Sequence, residues 1–299
     1  MLWYCHARNT LCAKFELNTT RTGNNNSRPK YFLKIVRKWI EFGFLIQLVH
    51  LVRLSYRSQS LFFMLPSQIP IVVLCGGESL RFRTRSADYS KALAPIGDVP
   101  IVCHIINRFR KIGCSHFIVC VRDSDVEISS FFKESSAFSY GLSVVKTGEY
   151  TPTGGRLKAI EDLIKTDQFV VTYGDCLSDV SIESVYNQHQ EKKATATVMA
   201  AKPRSSYGIL EVDENDAVTK FNEKPLLDYW VNAGLFIFNR QIFSYLNNES
   251  VLETDCLVKL VDNNQLMVYK HSGFWQAMDT PKEHELLVSM WASNNAFWT

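Results

Sequence analysis

Ile71-Val72-Val73-Leu74-Cys75-Gly76-Gly77 decides how this chain of 299 residues is read. Four aliphatic residues in succession show no polar alternation. That is the mark of a strand covered on both faces, as in a parallel sheet flanked by helices. The run then breaks into a glycine pair, where backbone amides can approach an anion that side chains would block.

Outward from this stretch, strand and helix patterns alternate. Strands are expected over 69–74, 116–121, 142–147, 169–173 and 195–200. Helices are expected over 100–112, with Pro100 in the first turn, and over 126–132, 155–164 and 182–192. After Pro203 the texture changes to a hairpin, 207–212 with 217–221, and a strand over 231–238. Helical patterns then cover 240–246 and 251–263, followed by a short strand, 266–269, and a closing helix, 281–293. Alternation of this kind predicts a layered α/β fold with a mixed, mostly parallel central sheet and helices on both faces.

Composition agrees with a globular domain: 46% hydrophobic and 21% charged residues. The net charge of +3 is unevenly distributed. Residues 1–63 carry ten Lys/Arg against two Asp/Glu, whereas 64–299 carry 23 against 28. The mildly acidic body gives no reason to expect nucleic-acid binding. Eight cysteines are scattered without Cys-x-x-Cys or zinc spacing, as expected of free thiols in a reducing cytoplasm. Residues 1–63 read as a disordered extension, an interfacial basic helix, an assembly helix, or a start set too early with translation from Met64. Their most apolar part, 42–52, is about half of the roughly 20 residues needed to span a bilayer. The domain is expected over 64–299, with a change of texture after about residue 200. No membrane contact is expected for it.

Four further segments carry chemistry. Thr153-Gly154-Gly155-Arg156-Leu157-Lys158 opens a helix with glycines, against which a flat base could lie. Tyr173-Gly174-Asp175 ends a strand in a carboxylate, where open α/β sheets place ligands. Glu223-Lys224-Pro225 follows a strand, and Phe274-Trp275-Gln276-Ala277-Met278-Asp279 lies near the end. Asp279 stands 104 residues beyond Asp175, so only the fold can unite them. Each residue also has a plain structural reading: a turn glycine, a capping aspartate, a core aromatic or a solvated lysine.

In this order the segments resemble the sugar-1-phosphate nucleotidyltransferases, most closely glucose-1-phosphate cytidylyltransferase. The resemblance covers 69–298 and implies a nucleotide-binding half to about 200 and a sugar-binding half after it. It implies a Rossmann-like three-layer fold and transfer of a cytidylyl group from CTP to a sugar 1-phosphate, releasing pyrophosphate. It implies Mg²⁺ held by Asp175 and Asp279, and nucleotide contacts from Cys75, Gly76, Gly77, Thr153, Gly154, Lys158, Tyr173 and Gly174. Arg81 and Lys91 fall where the family places phosphate-binding charges, and Lys224 would bind the sugar phosphate. Tyr207, Gly208, Glu223, Asn232, Gly234, Trp275 and Gln276 would line the hexose pocket. A cytoplasmic enzyme is implied, with homo-oligomerisation left open.

The chain also departs from the family: Glu78-Ser79-Leu80 replaces Leu-Gly-Thr, and Ser90 and Ala92 replace two prolines. A carboxylate at Glu78 is unfavourable beside a triphosphate unless it turns to solvent or metal. A different phosphorylated acceptor, a weakly active sugar-nucleotide-binding relative and a metal-dependent glycosyltransferase are the alternatives.

Overall fold

A computed structural model of the chain describes residues 65–77, 90–135 and 141–299. All of them lie in the second of the two units into which the chain divides, Phe62–Thr299. The expectations for residues 1–63, for Glu78-Ser79-Leu80 and for Arg81 lie outside the described residues.

The strands are β1 (Ile71–Leu74), β2 (Pro95–Ile96), β3 (Val99–Pro100), β4 (Phe117–Val121), β5 (Leu142–Lys146), β6 (Gln168–Tyr173) and β7 (Cys176–Ser178), then β8 (Ala196–Ala201), β9 (Ile209–Val212), β10 (Val218–Asn222), β11 (Val231–Asn239), β12 (Leu266–His271) and β13 (Trp275–Ala277). The α-helices are α1 (Ile101–Lys111), α2 (Val126–Glu134), α3 (Thr153–Ala159), α4 (Ile182–Lys192), α5 (Leu257–Asp262) and α6 (Pro281–Ala292). Seven strands form the central sheet in the order β12-β8-β11-β6-β1-β4-β5. Its pairs are parallel except where β11 runs antiparallel to β6 and β8.

The unbroken apolar strands are explained by burial on both faces. In β1, Ile71 and Val73 enter one core and Val72 and Leu74 the other. In β4, Phe117, Val119 and Val121 face the first core, and Ile118 and Cys120 the second. Successive side chains on a strand point oppositely, so each strand joins both helical layers. α1, α2, α4 and α6 supply the first core with Ile105, Ile128, Val185 and Leu287. Leu157 of α3, Leu260 of α5 and the 3₁₀ turn Arg240–Tyr245 close the second.

The expected hairpin after Pro203 is present as β9 with β10. Two further small pairings were not anticipated. β2 with β3 is a local hairpin. β7 with β13 is not: Cys176 pairs with Ala277 and Ser178 with Trp275, and the Met278 amide donates to the Asp175 carbonyl at 2.9 Å. Such three-residue strands have no periodicity to be read, and each exists only because the other does. The single helix expected over 251–263 divides instead into a π turn, Leu252–Cys256, and α5. Among the described residues, no helix is long and apolar enough to cross a membrane.

Candidate active site

Strands β1 and β6 lie side by side and end together, so Cys75-Gly76-Gly77 and Gly174-Asp175 leave the sheet at one edge. The Gly174 amide donates to the Leu74 carbonyl at 3.0 Å. A Cβ on Gly174 would strike the Cys75 sulfur, so glycine is required for this approach. The cleft that opens here has a volume of about 630 Å³. Of the expected residues it is lined by Cys75, Gly76, Gly77, Lys91, Thr153, Tyr173, Gly174, Asp175 and Asp279.

The β7–β13 pair closes the gap of 104 residues. Asp175 precedes β7, Asp279 follows β13, and the antiparallel register sets them together. Lys91, on the 3₁₀ turn Lys91–Leu93, places its Nζ 2.6 Å from Asp175 Oδ2 and 2.7 Å from Asp279 Oδ1. Burial pulls the Lys91 pKa down, but the charges and hydrogen bonds of the two aspartates outweigh it, and the net shift is upward. The ammonium therefore stays charged at neutral pH.

Asp279 does not cap the helix that follows. Thr280 accepts the Glu283 amide at 3.3 Å, and Glu283 Oε2 reaches back to the amides of Asp279 and Thr280 at 2.7 and 2.8 Å. This capping box satisfies the end of α6 and leaves the Asp279 carboxylate for the cleft. Replacing Thr280 by Ala is expected to cost about 1 kcal/mol, read as a lowered midpoint in urea denaturation.

Two residues with no assigned role prove central. Arg156 reads from sequence as solvated; instead it is 4% exposed, and its Nη atoms donate to Thr147 Oγ1 at 2.6 Å, Gly76 O at 3.0 Å and Gly148 O at 3.1 Å. A Cβ on Gly76 would collide with this guanidinium. Arg156 thus ties the end of β1 to the loop after β5. Its only sequence signal is its place within the glycine-marked motif. Glu253, on the π turn, accepts from Thr153 Oγ1 at 2.8 Å and from the Tyr173 hydroxyl, and it also lines the cleft. No local pattern marks it, because its partners are 80 and 100 residues away. Burial, then the Glu253 charge, pushes the Tyr173 pKa up, so its phenol remains a donor.

Other expectations need correction. Gly154 and Gly155 do not offer backbone to the cleft. Cβ atoms there would meet the carbonyls of Ser250 and Asn248, and the Gly155 amide donates to Ser250 O at 2.9 Å. These glycines let α3 pack against the segment before the π turn. Lys158 pairs with Glu161 at 2.6 Å and reaches Phe243 O, so it is not among the residues lining the cleft.

The sugar-side set is also outside the cleft lining. Tyr207 is 79% exposed, and Gly208 packs beneath Phe221 and Glu223. Lys224 pairs with Glu223 at 3.0 Å and holds a left-handed φ of 46°, which a non-glycine residue rarely adopts. Trp275 Nε1 donates to Ala233 O at 3.0 Å, and Gln276 to Ala277 O at 2.7 Å. Asn232 and Gly234 do approach the site, through Tyr173: Asn232 hydrogen-bonds its hydroxyl, and a Cβ on Gly234 (φ 76°) would meet its ring at 2.8 Å.

A glycine pair and Asp175 at the ends of two parallel strands, with Lys91 and Asp279 brought beside them, place the cleft of an α/β protein at the edge of its sheet. Residues 71–286 match the nucleotidyl transferase family, and the chain belongs to that family: it is a nucleotidyltransferase. It is 31% identical to the probable glucose-1-phosphate cytidylyltransferase of Bacillus subtilis (strain 168), over 76% of this chain and 98% of that protein. It is 28% identical to the glucose-1-phosphate cytidylyltransferase of Salmonella typhi, over 76% and 97%. In fold it is similar to the solved structure of a putative glucose-1-phosphate thymidylyltransferase from Bacillus anthracis in complex with a sucrose. That similarity has a TM-score of 0.61 at 18% identity, covering 74% of this chain and 94% of the other. HddC from Yersinia pseudotuberculosis gives 0.58 at 19%, over 74% and 99%. These neighbours bear out the Rossmann-like fold.

Proposed function

We propose that this nucleotidyltransferase transfers the cytidylyl group of CTP to a sugar 1-phosphate, with glucose 1-phosphate the first candidate, giving a CDP-sugar and pyrophosphate. The observation that carries the reading is the meeting of Asp175, Asp279 and Lys91 beside Gly76-Gly77. The choice of CTP and glucose 1-phosphate is supported by the two cytidylyltransferase relatives.

An oxygen of the sugar phosphate forms a bond to the α-phosphorus, and the bond from that phosphorus to the bridging oxygen breaks. Pyrophosphate leaves with the electron pair. Both reactants are anions, so positive charge and alignment dominate the barrier, and no protein acid, base or nucleophile is required. The amides around Gly76 and Gly77 cradle phosphate oxygens, held in place by Arg156. The Lys91 ammonium, already poised between two carboxylates, neutralises phosphate charge near the reacting phosphorus. Lys224 binds the acceptor phosphate, exchanging Glu223 for it, and Arg81 holds the outer phosphates.

The donor set suits Mg²⁺. Two hard carboxylate oxygens converge on one cationic atom. Mg²⁺ takes one or two carboxylates and completes its shell with phosphate oxygens and waters. Bound by Asp175 and Asp279, it would withdraw charge from the α-phosphate.

The test is pyrophosphate release from four nucleoside triphosphates, each offered with a panel of phosphorylated sugars and Mg²⁺. CTP with a hexose 1-phosphate is expected to give the highest kcat/KM. Preference for UTP, dTTP or GTP would refute the cytidyl assignment.

A further inference from the structure

Glu253 is a carboxylate that no cation among the described residues pairs, whether Lys, Arg or His, yet it stands partly buried in the wall of the cleft. It is fixed from two sides, by Thr153 at the start of α3 and by Tyr173 at the end of β6. Thr153 Oγ1 accepts in turn from the Leu252 amide at 3.0 Å. Both hydroxyl protons are spent on Glu253, so the three side chains offer the cleft acceptors only. Each carboxylate oxygen keeps a lone pair for a further donor.

The occupant of that position is constrained by charge. A triphosphate there would meet a fixed anion, so the phosphates belong with the other lining groups, Cys75–Gly77 and Lys91. What lies against Glu253 must present a hydrogen-bond donor, and a nucleobase offers N–H. We propose that Glu253 reads the nucleobase, accepting a hydrogen bond from an exocyclic amino group, and so selects an amino-bearing pyrimidine over a keto-bearing one. Cytosine places an amino group where uracil and thymine place an oxygen. A keto oxygen facing an acceptor-only wall leaves both unpaired, and that form of rejection is strong. The inference rests on the nucleotidyl-transfer reading for the presence of a nucleotide, and it adds the residue that chooses the base.

Glu253→Gln is the discriminating variant. It keeps the shape and one acceptor but exchanges one oxygen for an amino donor. The ratio of kcat/KM for CTP to that for UTP is expected to fall by about tenfold or more, partly through a gain with UTP. A wall damaged only structurally would lose both nucleotides equally and leave the ratio unchanged; that result overturns the proposal. Calorimetric titration of wild-type protein with CTP and with UTP, without acceptor, gives a readout independent of turnover. Tighter binding of CTP, diminished in the variant, supports Glu253 as the reader. Equal binding by wild type overturns it. Absence of pyrophosphate release alongside selective CTP binding would sink the transfer reading and leave the base reader standing. If Glu253→Gln does not fold, Tyr173→Phe frees one side of the carboxylate and is expected to narrow the same binding ratio about threefold; an unchanged ratio overturns the proposal.

Discussion

Asp175→Asn is expected to lower nucleotide-dependent pyrophosphate release by about 10³-fold, about 4 kcal/mol of transition-state stabilisation. The substitution removes one negative charge and one hard oxygen while preserving shape. The amide oxygen it introduces can still accept from the Lys91 ammonium, which lies 2.6 Å from the native carboxylate, and Asp279 remains at 2.7 Å. Both carboxylates are part-exposed, with side-chain exposures of 28% and 51%, so their loss should not unfold the domain. Asp279→Asn is expected to act in the same direction, and circular dichroism should be unchanged in both. Wild-type turnover in either variant would mean that these oxygens do not serve the reacting phosphate.

Arg156→Met is the second large effect, and it falls on folding as well as on activity. The guanidinium is buried and bonded to Thr147, Gly76 and Gly148 with good geometry. Methionine fills much of the volume but leaves those acceptors without donors. Unpaired buried polar groups and a broken buried charge site together cost about 3 kcal/mol. For a domain of this size that is about 10 °C in the melting temperature. Loss of the tie on Gly76 O should also weaken nucleotide binding by about tenfold or more, since the bond is worth roughly 1.5–3 kcal/mol. Arg156→Lys should rescue little, because one ammonium cannot reproduce a planar fork serving several carbonyls. A variant as stable as wild type, with normal nucleotide binding, would show that the loop after β1 is held by other groups.

Much of the fold was legible because its signals are local. The apolar runs at 71–74, 117–121 and 169–173 leave no solvent face, so parallel strands covered by helices followed directly. Expected ends differ from observed ones by one or two residues for most elements. The π turn was missed because its apolar positions fit ordinary helical spacing; what distorts it are distant bonds, from the Leu252 amide to Thr153 and from Thr153 to Glu253. The glycines at 154 and 155 were recognised as special, but not for their packing against the carbonyls of Ser250 and Asn248. Sequence shows that a Cβ is absent and is silent on what occupies the space. The partner of Lys158 was not legible for a related reason: a helix start places no side chain, and Glu161, three residues on, is the nearer charge.

Sequence alone determined which segments are strands, which end in glycine or aspartate, and that the chain carries the parts of a nucleotidyl-transfer site. Those are properties of a few consecutive residues, set by solvent exclusion and backbone freedom. Tertiary structure alone decided which parts meet. Asp175 and Asp279 come together because two three-residue strands pair across a hundred positions, and Arg156 and Glu253 acquire roles only from neighbours far along the chain. Hydrogen bonds and ion pairs act over about 3 Å in space regardless of separation in sequence, so their partners become readable only once the sheet has assembled.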